Sequence, residues 1–280
     1  MSGRAASAVR HTRDHALLVR RFAYGESSLV VHALTREHGR VHLLAKGAYR
    51  LRSRFFGRLD LFDTLELAWS ERAGVELGNL EEAELLERRQ RIPHSLASYR
   101  AALTVLELAS LSAPERAPAA ELFELCSSAL QTLHEGREPE LTLVEFELAF
   151  LHNLGLAPAL EACASCGGAA PAFPADERST PRVEFSASAG GRLCAKCAQR
   201  ARASGVRVGT LPTDVLELAA RLACGAPPEG ELDAALLERT RDFTARFLRR
   251  QLDCQPKSYR VFLAAPHRNR PLHEPRGVAE

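Results

Sequence analysis

Residues 61–70 read Leu-Phe-Asp-Thr-Leu-Glu-Leu-Ala-Trp-Ser. Leu65, Leu67 and Trp69 fall on one side of an extended chain, and Thr64, Glu66 and Ser70 fall on the other. Side chains alternate across a strand with a period of two, so the stretch predicts a half-buried β-strand. Residues 40–46 alternate in the same way, with Val41, Leu43 and Ala45 opposite Arg40, His42 and Lys46. Residues 29–35 are rich in branched side chains, residues 15–19 form a short apolar run, and a weaker fifth strand falls within 75–86. Gly25, Gly39, Gly47, Gly57 and Gly74 punctuate these runs as turn or bulge positions. Five short strands within about 70 residues suit a small closed barrel, and the OB-fold is one such architecture.

Downstream the period changes. Leu96, Tyr99, Leu103 and Leu106 are spaced by three and four, which predicts one face of an amphipathic helix. Leu122, Leu125, Cys126, Ala129, Leu130 and Leu133 predict a second helix. Residues 141–156 are apolar nearly all round, the mark of a central buried helix. Two more helices follow, through Val215, Leu218, Ala219 and Leu222, and through Leu232, Leu236, Phe243, Phe247 and Leu252. The expected fold is therefore α+β and multidomain. Residues 15–84 form an OB-fold barrel. An all-α domain in two parts, 85–157 and 211–263, flanks a cysteine-bearing insertion at 158–210. Disordered ends are expected at 1–14 and 264–280.

The insertion reads Cys163-Ala-Ser-Cys166, then 27 residues, then Cys194-Ala-Lys-Cys197. Two residues between cysteines let both thiolates of a tight turn face one ion, and two such turns supply the four sulfurs of a closed structural zinc site. Glycine pairs at 167–168 and 190–191 suit the turns, and residues 183–185 suit a hairpin strand between them. Ordinary buried cysteines and a redox dithiol are the competing readings. The other three cysteines, Cys126, Cys224 and Cys254, occur singly, which favours one bound Zn2+.

The net charge of +2 hides an uneven distribution. Residues 1–80 carry 13 Lys and Arg against 8 Asp and Glu, whereas residues 81–156 carry 6 against 13. Arg36, Arg40, Lys46, Arg50, Arg52, Arg54 and Arg58 are opposed within 36–58 only by Glu37. Cations of this density neutralise phosphates, and aromatic faces stack bases, so the run predicts a polyanion-binding surface on the barrel. The bland reading is a solvated basic loop. Phe55 and Phe56 lie inside the run, and core burial is the expectation for both, since aromatic side chains are more often buried than stacked. His32 and His42 are positioned to be neighbours across two strands, where surface histidines without a role are the simpler reading. No Walker A sequence, Gly-x-Gly-x-x-Gly, His-Glu-x-x-His or His-x-Glu occurs, and the carboxylates at 81, 82, 84 and 87 read as a solvated face. No apolar N-terminal stretch or run of about 18 apolar residues occurs, so neither secretion nor a membrane span is expected. A thiol- or zinc-dependent enzyme and a protein-interaction scaffold without DNA binding remain the alternatives to a nucleic-acid binder.

Four stretches resemble the RecO family of bacterial recombination mediators: RRFAYGESSLVVHALTREHGRVHLLAKGAYRLRSRF in the barrel, FELAFLHNLGLAPALEACASCG into the first cysteine pair, GGRLCAKC at the second, and FLRRQLDCQPKSYRVF near the C-terminus. The resemblance spans about residues 15–263. It implies binding of single- and double-stranded DNA, annealing of complementary strands, and loading of RecA together with RecR and single-strand-binding protein, as part of a RecFOR pathway of DNA repair. It also implies a cytoplasmic, nucleoid-associated protein without catalytic residues. Arg20, Arg40, Lys46, Arg52 and Arg54 lie in the matched barrel stretch and carry the expectation of DNA contact.

Overall fold

The computed structural model describes residues 9–174, 180–226, 232–253 and 256–259. Five strands come first: β1 (Val9–Tyr24), β2 (Ser28–Thr35), β3 (Gly39–Ala45), β4 (Thr64–Arg72) and β5 (Leu77–Glu87). They close into a barrel in the order β1-β2-β3-β5-β4, with β1 returning to β4. All neighbours are antiparallel except β3 and β5, which run parallel. This is the strand order of an OB-type barrel. The inward set includes Leu18, Val31, Ala33, Leu43, Leu65, Leu67 and Trp69, so the alternation at 61–70 corresponds to burial.

Residues 9–14, expected to be disordered, are instead the first part of β1, paired with β4 from Val9 opposite Arg72 to Asp14 opposite Leu67. The reason is cross-strand charge. Arg10 donates to Glu71, and Arg13 pairs with both Glu66 and Glu82, which makes a polar segment a viable strand. Residues 1–8 and 264–280 lie outside the described residues.

A single turn at Ile92–His94 leads into α1 (Leu96–Ser112), α2 (Ala120–Glu135) and α3 (Pro139–Asn153). Nine residues of α3 are buried, including Val144, Phe146 and Phe150, and α3 is the central helix. α1 keeps half of the expected face: Leu106 is buried and Leu103 packs on the core, whereas Leu96 and Tyr99 are exposed, and the buried side also takes in Ser98, Ala101, Ala102, Val105, Leu108 and Ala109. Its alanines let α2 and α3 approach closely, a packing role that a search for large apolar residues overlooks. The chain then forms β6 (Arg182–Ser186), β7 (Gly191–Leu193), α4 (Ala195–Ala203) and β8 (Gly209–Pro212), with a sheet in the order β7-β6-β8. α5 (Thr213–Ala223) and α6 (Ala234–Gln251) complete the helical layer.

The barrel and the helices share a packed junction. Leu17 and Leu34, on the outer side of the barrel, belong to the helical core. The β2–β3 turn is seated against the α1–α2 connection: Arg40 N–H donates to Pro114 O at 2.8 Å, and Ala119 N–H donates to Arg36 O at 3.0 Å. Arg89, with a fully buried side chain, donates to Phe62 O and Thr64 Oγ1 at 2.8 Å each and to Ser127 Oγ at 3.0 Å. That single guanidinium joins the end of β5, the entry to β4 and α2.

At the other end of the chain, Glu107 on α1 accepts the backbone N–H groups of Lys257 and Ser258 at 2.7 and 2.8 Å. Tyr259 donates its hydroxyl to Glu147 on α3 at 2.7 Å. Residues 256–259 are thereby fastened to two helices.

Candidate nucleic-acid interface and metal centre

The four cysteine sulfurs of Cys163, Cys166, Cys194 and Cys197 all lie within 4.8 Å of one another. Local backbone bonds create this arrangement. Cys163 N–H donates to Gly168 O and Gly167 N–H to Cys163 O, which closes the first turn. Ala164 N–H donates to Arg192 O, which ties that turn to β7. Gly191 sits directly on residue 159: a Cβ there would stand 2.4 Å from the Ala159 carbonyl oxygen, and its φ is +153°. Cys194 is the N-cap of α4, so Cys197 rises from the first turn of that helix.

The donor set fits a tetrahedral metal. Zinc–sulfur bonds of about 2.3 Å place sulfurs roughly 3.8 Å apart, compatible with the observed spread. Burial raises the Cys163 thiol, but backbone N–H groups of Cys194, Ser165 and Cys166 outweigh it and hold the thiol down at about 6. The hydrogen-bonded Cys194 sulfur, then burial, then the other two sulfurs push Cys197 the opposite way. Four sulfurs this close cannot all ionise unless a cation shares their charge, and the thiolate is the metal-binding form. The cluster can therefore hold a metal ion. Cys163 and Cys197 are buried and Cys166 is exposed.

The cations of the barrel separate into two kinds. Arg20 on β1, Lys46 just after β3, and Arg50, Arg52 and Arg54 in the loop from β3 to β4 are exposed, and none makes an ion pair among the described residues. Arg54 lies over the Phe55 ring, 5.5 Å from its centroid. Arg40 is different. Its guanidinium donates to Ser110 O at 2.7 Å and to Glu115, so it serves the junction with the helices. Arg21 and Arg58 are also engaged, the first with Leu59 O and Asp60, the second with Ala83 O.

The two phenylalanines of the loop divide. Phe55 is buried in the barrel core as expected. Phe56 corrects the expectation: it is 59% exposed and lines a groove with Phe22 and Tyr49. Consecutive residues in an irregular loop have no fixed facing, so the sequence held no signal separating them. His32 and His42 do stand opposite each other, in register between β2 and β3. Burial, then the neighbouring His42, Arg20 and Arg40, lowers the His32 imidazole to about 4. Burial and Arg40 lower His42 as well.

These features define a class: an OB-type barrel with exposed cations that form no ion pair among the described residues, joined to a helical domain that carries a four-cysteine cluster able to hold a metal ion. Comparison with known proteins agrees with that class. Residues 9–89 match the family model described as Recombination protein O N terminal, and residues 93–260 match Recombination protein O C terminal. Among curated relatives named DNA repair protein RecO, that of Rhodopirellula baltica is 33% identical over 208 residues, covering 74% of this chain and 73% of the relative. That of Anaeromyxobacter sp. Fw109-5 is 34% identical over 237 residues, covering 84% and 89%. That of a Listeria monocytogenes strain is 30% identical over 186 residues, covering 66% and 68%. The chain belongs to the RecO family of DNA repair and recombination proteins. Among the described residues no helix is long and apolar enough to cross a membrane.

Proposed function

We propose that this chain is a DNA-binding recombination mediator. It holds single- and double-stranded DNA on the barrel, anneals complementary strands and, with RecR, helps load RecA onto DNA covered by single-strand-binding protein. The observation that carries this reading is the set of exposed cations without ion-pair partners among the described residues, Arg20, Lys46, Arg52 and Arg54, on a barrel of the RecO family. Free cations gain most from phosphate, because no internal partner has to be given up and condensed counterions are released. Arg40 belongs to the same stretch but acts by holding the barrel against the helices, and any contact it makes with DNA is secondary.

The four cysteines are read as the ligands of one structural Zn2+. Four protein sulfurs leave no open position, so the metal braces the insertion and supplies no Lewis-acid step. The chemistry is association without turnover, carried out in the cytoplasm at the nucleoid.

The test is annealing of complementary oligonucleotides coated with single-strand-binding protein, comparing the wild type with Lys46→Glu/Arg52→Glu/Arg54→Glu. The expected result is a rate at least tenfold lower for the variant. Equal rates would remove these cations from the mechanism.

A further inference from the structure

The outward side of β1, β2 and β3 carries a row of rings that phosphate binding does not use. Val31, Ala33, Val41 and Leu43 point into the barrel, so His32 and His42, which alternate with them, point out. Their imidazoles stack, with centroids 3.9 Å apart and planes 29° apart. Phe22 on β1 meets His32 edge-on at 5.4 Å and 80°. Phe22 is 44% exposed and also lines the groove shared with Tyr49 and Phe56, which are 56% and 59% exposed. Three rings thus run from the middle of β3 across β2 to β1, where Phe22 shares its groove with Tyr49 and Phe56 of the loop from β3 to β4. Arg20 flanks the row, directly across from His32.

The core does not account for these rings. The barrel interior is filled by Trp69, Leu65, Leu67 and their neighbours, and the contact with the helices is made by Leu17 and Leu34. The three rings on the strands pack against one another on the outer face, His32 and His42 half-buried and Phe22 exposed, which fixes their positions before any ligand arrives. The imidazoles are uncharged at neutral pH, since burial and nearby cations disfavour their protonation. Neutral rings beside arginines offer faces to flat, polarisable ligands and leave phosphates to the arginines.

We propose that His42, His32 and Phe22, continued by Tyr49 and Phe56, form a stacking track for unpaired bases. The track makes this face of the barrel select single-stranded over double-stranded nucleic acid, because bases inside a duplex already stack on each other. This rests on the DNA-binding reading above and adds the base-contacting surface to it. Every base has a π-face, so stacking tolerates any sequence, and even two occupied positions separate the two strand types clearly.

The experiment uses the full-length, metal-loaded protein and two fluorescent probes of equal length, an oligo(dT) and the same sugar–phosphate chain without bases. Wild type is expected to bind oligo(dT) at least tenfold more tightly than the abasic chain. Phe22→Ser/His32→Ser/His42→Ser is expected to reduce that preference to less than threefold and to keep the wild-type salt dependence. Tyr49→Ser/Phe56→Ser, on the loop rather than the strands, is expected to lower it in the same direction. Equal affinity of the wild type for the two probes overturns the track and leaves phosphate binding intact, and so does a preference that survives in both variants. Failure of the wild type to bind either probe overturns the DNA-binding reading itself.

Discussion

Gly39 lies so close to Pro114 that a Cβ on it would stand 2.3 Å from the Pro114 carbonyl oxygen and 2.4 Å from that of Ala117. Its φ is +61°, a backbone region that side chains disfavour. The β2–β3 turn therefore fits the α1–α2 connection only because this residue has no side chain. Gly39→Ala should lower stability by about 2–4 kcal/mol, combining backbone strain with the displacement of two carbonyl groups. Urea unfolding measures this, and an unchanged midpoint would contradict so tight a junction.

Arg89, with a side chain that water does not reach, satisfies Phe62 O and Thr64 Oγ1 at the start of β4, Ser127 Oγ on α2 and the Glu87 carboxylate at the end of β5. Arg89→Ala leaves Phe62 O and Thr64 Oγ1 without that donor, so a loss of roughly 3–5 kcal/mol is expected. Arg89→Lys should recover only part of it, since one ammonium cannot span the same fork of acceptors. Thermal unfolding of the two variants side by side tests the ranking.

The two kinds of barrel cation should separate in salt titrations. Neutralising Lys46, Arg52 and Arg54 together should reduce the slope of log affinity against log salt by about 0.7 for each phosphate of single-stranded DNA that is no longer neutralised. Arg40→Ala should leave the slope near wild type while lowering the unfolding midpoint, because its hydrogen bonds go to Ser110 and Glu115. The reverse pattern would mean that the assignment of roles has been exchanged.

Metal removal should act on the helical half. Cys163→Ser is expected to lose the ion and destabilise residues 158–212 by several kcal/mol, since ion binding and folding of such a module are one equilibrium. Affinity of the barrel for a short oligonucleotide should stay within about twofold. Hydrogen exchange localises the effect, and unaltered protection in β6, β7 and α4 would argue against a structural ion.

Glu147 introduces a pH dependence of known sign. Burial pushes its carboxyl up to about 7, against which the hydroxyls of Thr244 and Tyr259 and the nearby Arg241 act only in part. In the unfolded chain the same group titrates near 4.5. Between those values the folded protein holds a proton that the unfolded chain has released, so this contribution to stability is lost as pH rises through 7. His32 contributes the opposite slope between about 4 and 6.5, being harder to protonate when folded. Glu147→Gln removes the first contribution alone. Its amide oxygen can accept from Tyr259, and the Thr244 hydroxyl has the Arg241 carbonyl at 3.0 Å as another acceptor. The expected result is a variant that gains stability relative to wild type from pH 5 to pH 8, read from urea midpoints; a constant difference across that range would refute it.

Strands with one wet and one dry face announce themselves by alternation, as Leu65, Leu67 and Trp69 did, and the spacing of the paired cysteines announces the cluster of four sulfurs. Features that depend on partners far along the chain were not legible. The strand at 9–14 is held by carboxylates on β4 and β5. Arg40 and Arg52 differ in their surroundings, because Arg40 alone of the two lies beside Ser110 and Glu115. Phe55 and Phe56 take opposite environments within one loop. The packing side of α1 includes Ala101, Ala102 and Ala109, which carry little hydrophobic signal per residue.

Because Glu107 and Glu147 grip residues 257–259, the helical half depends on a stretch of chain about 100 residues beyond its own central helix. The barrel strands occupy one uninterrupted span, 9–87. A ribosome releases the polypeptide from its amino end, so the barrel can close while the rest is still being translated, whereas the helices must wait for the last clasp to emerge. During that interval the nascent protein carries a closed barrel, with its exposed arginines, and no completed helical counterpart.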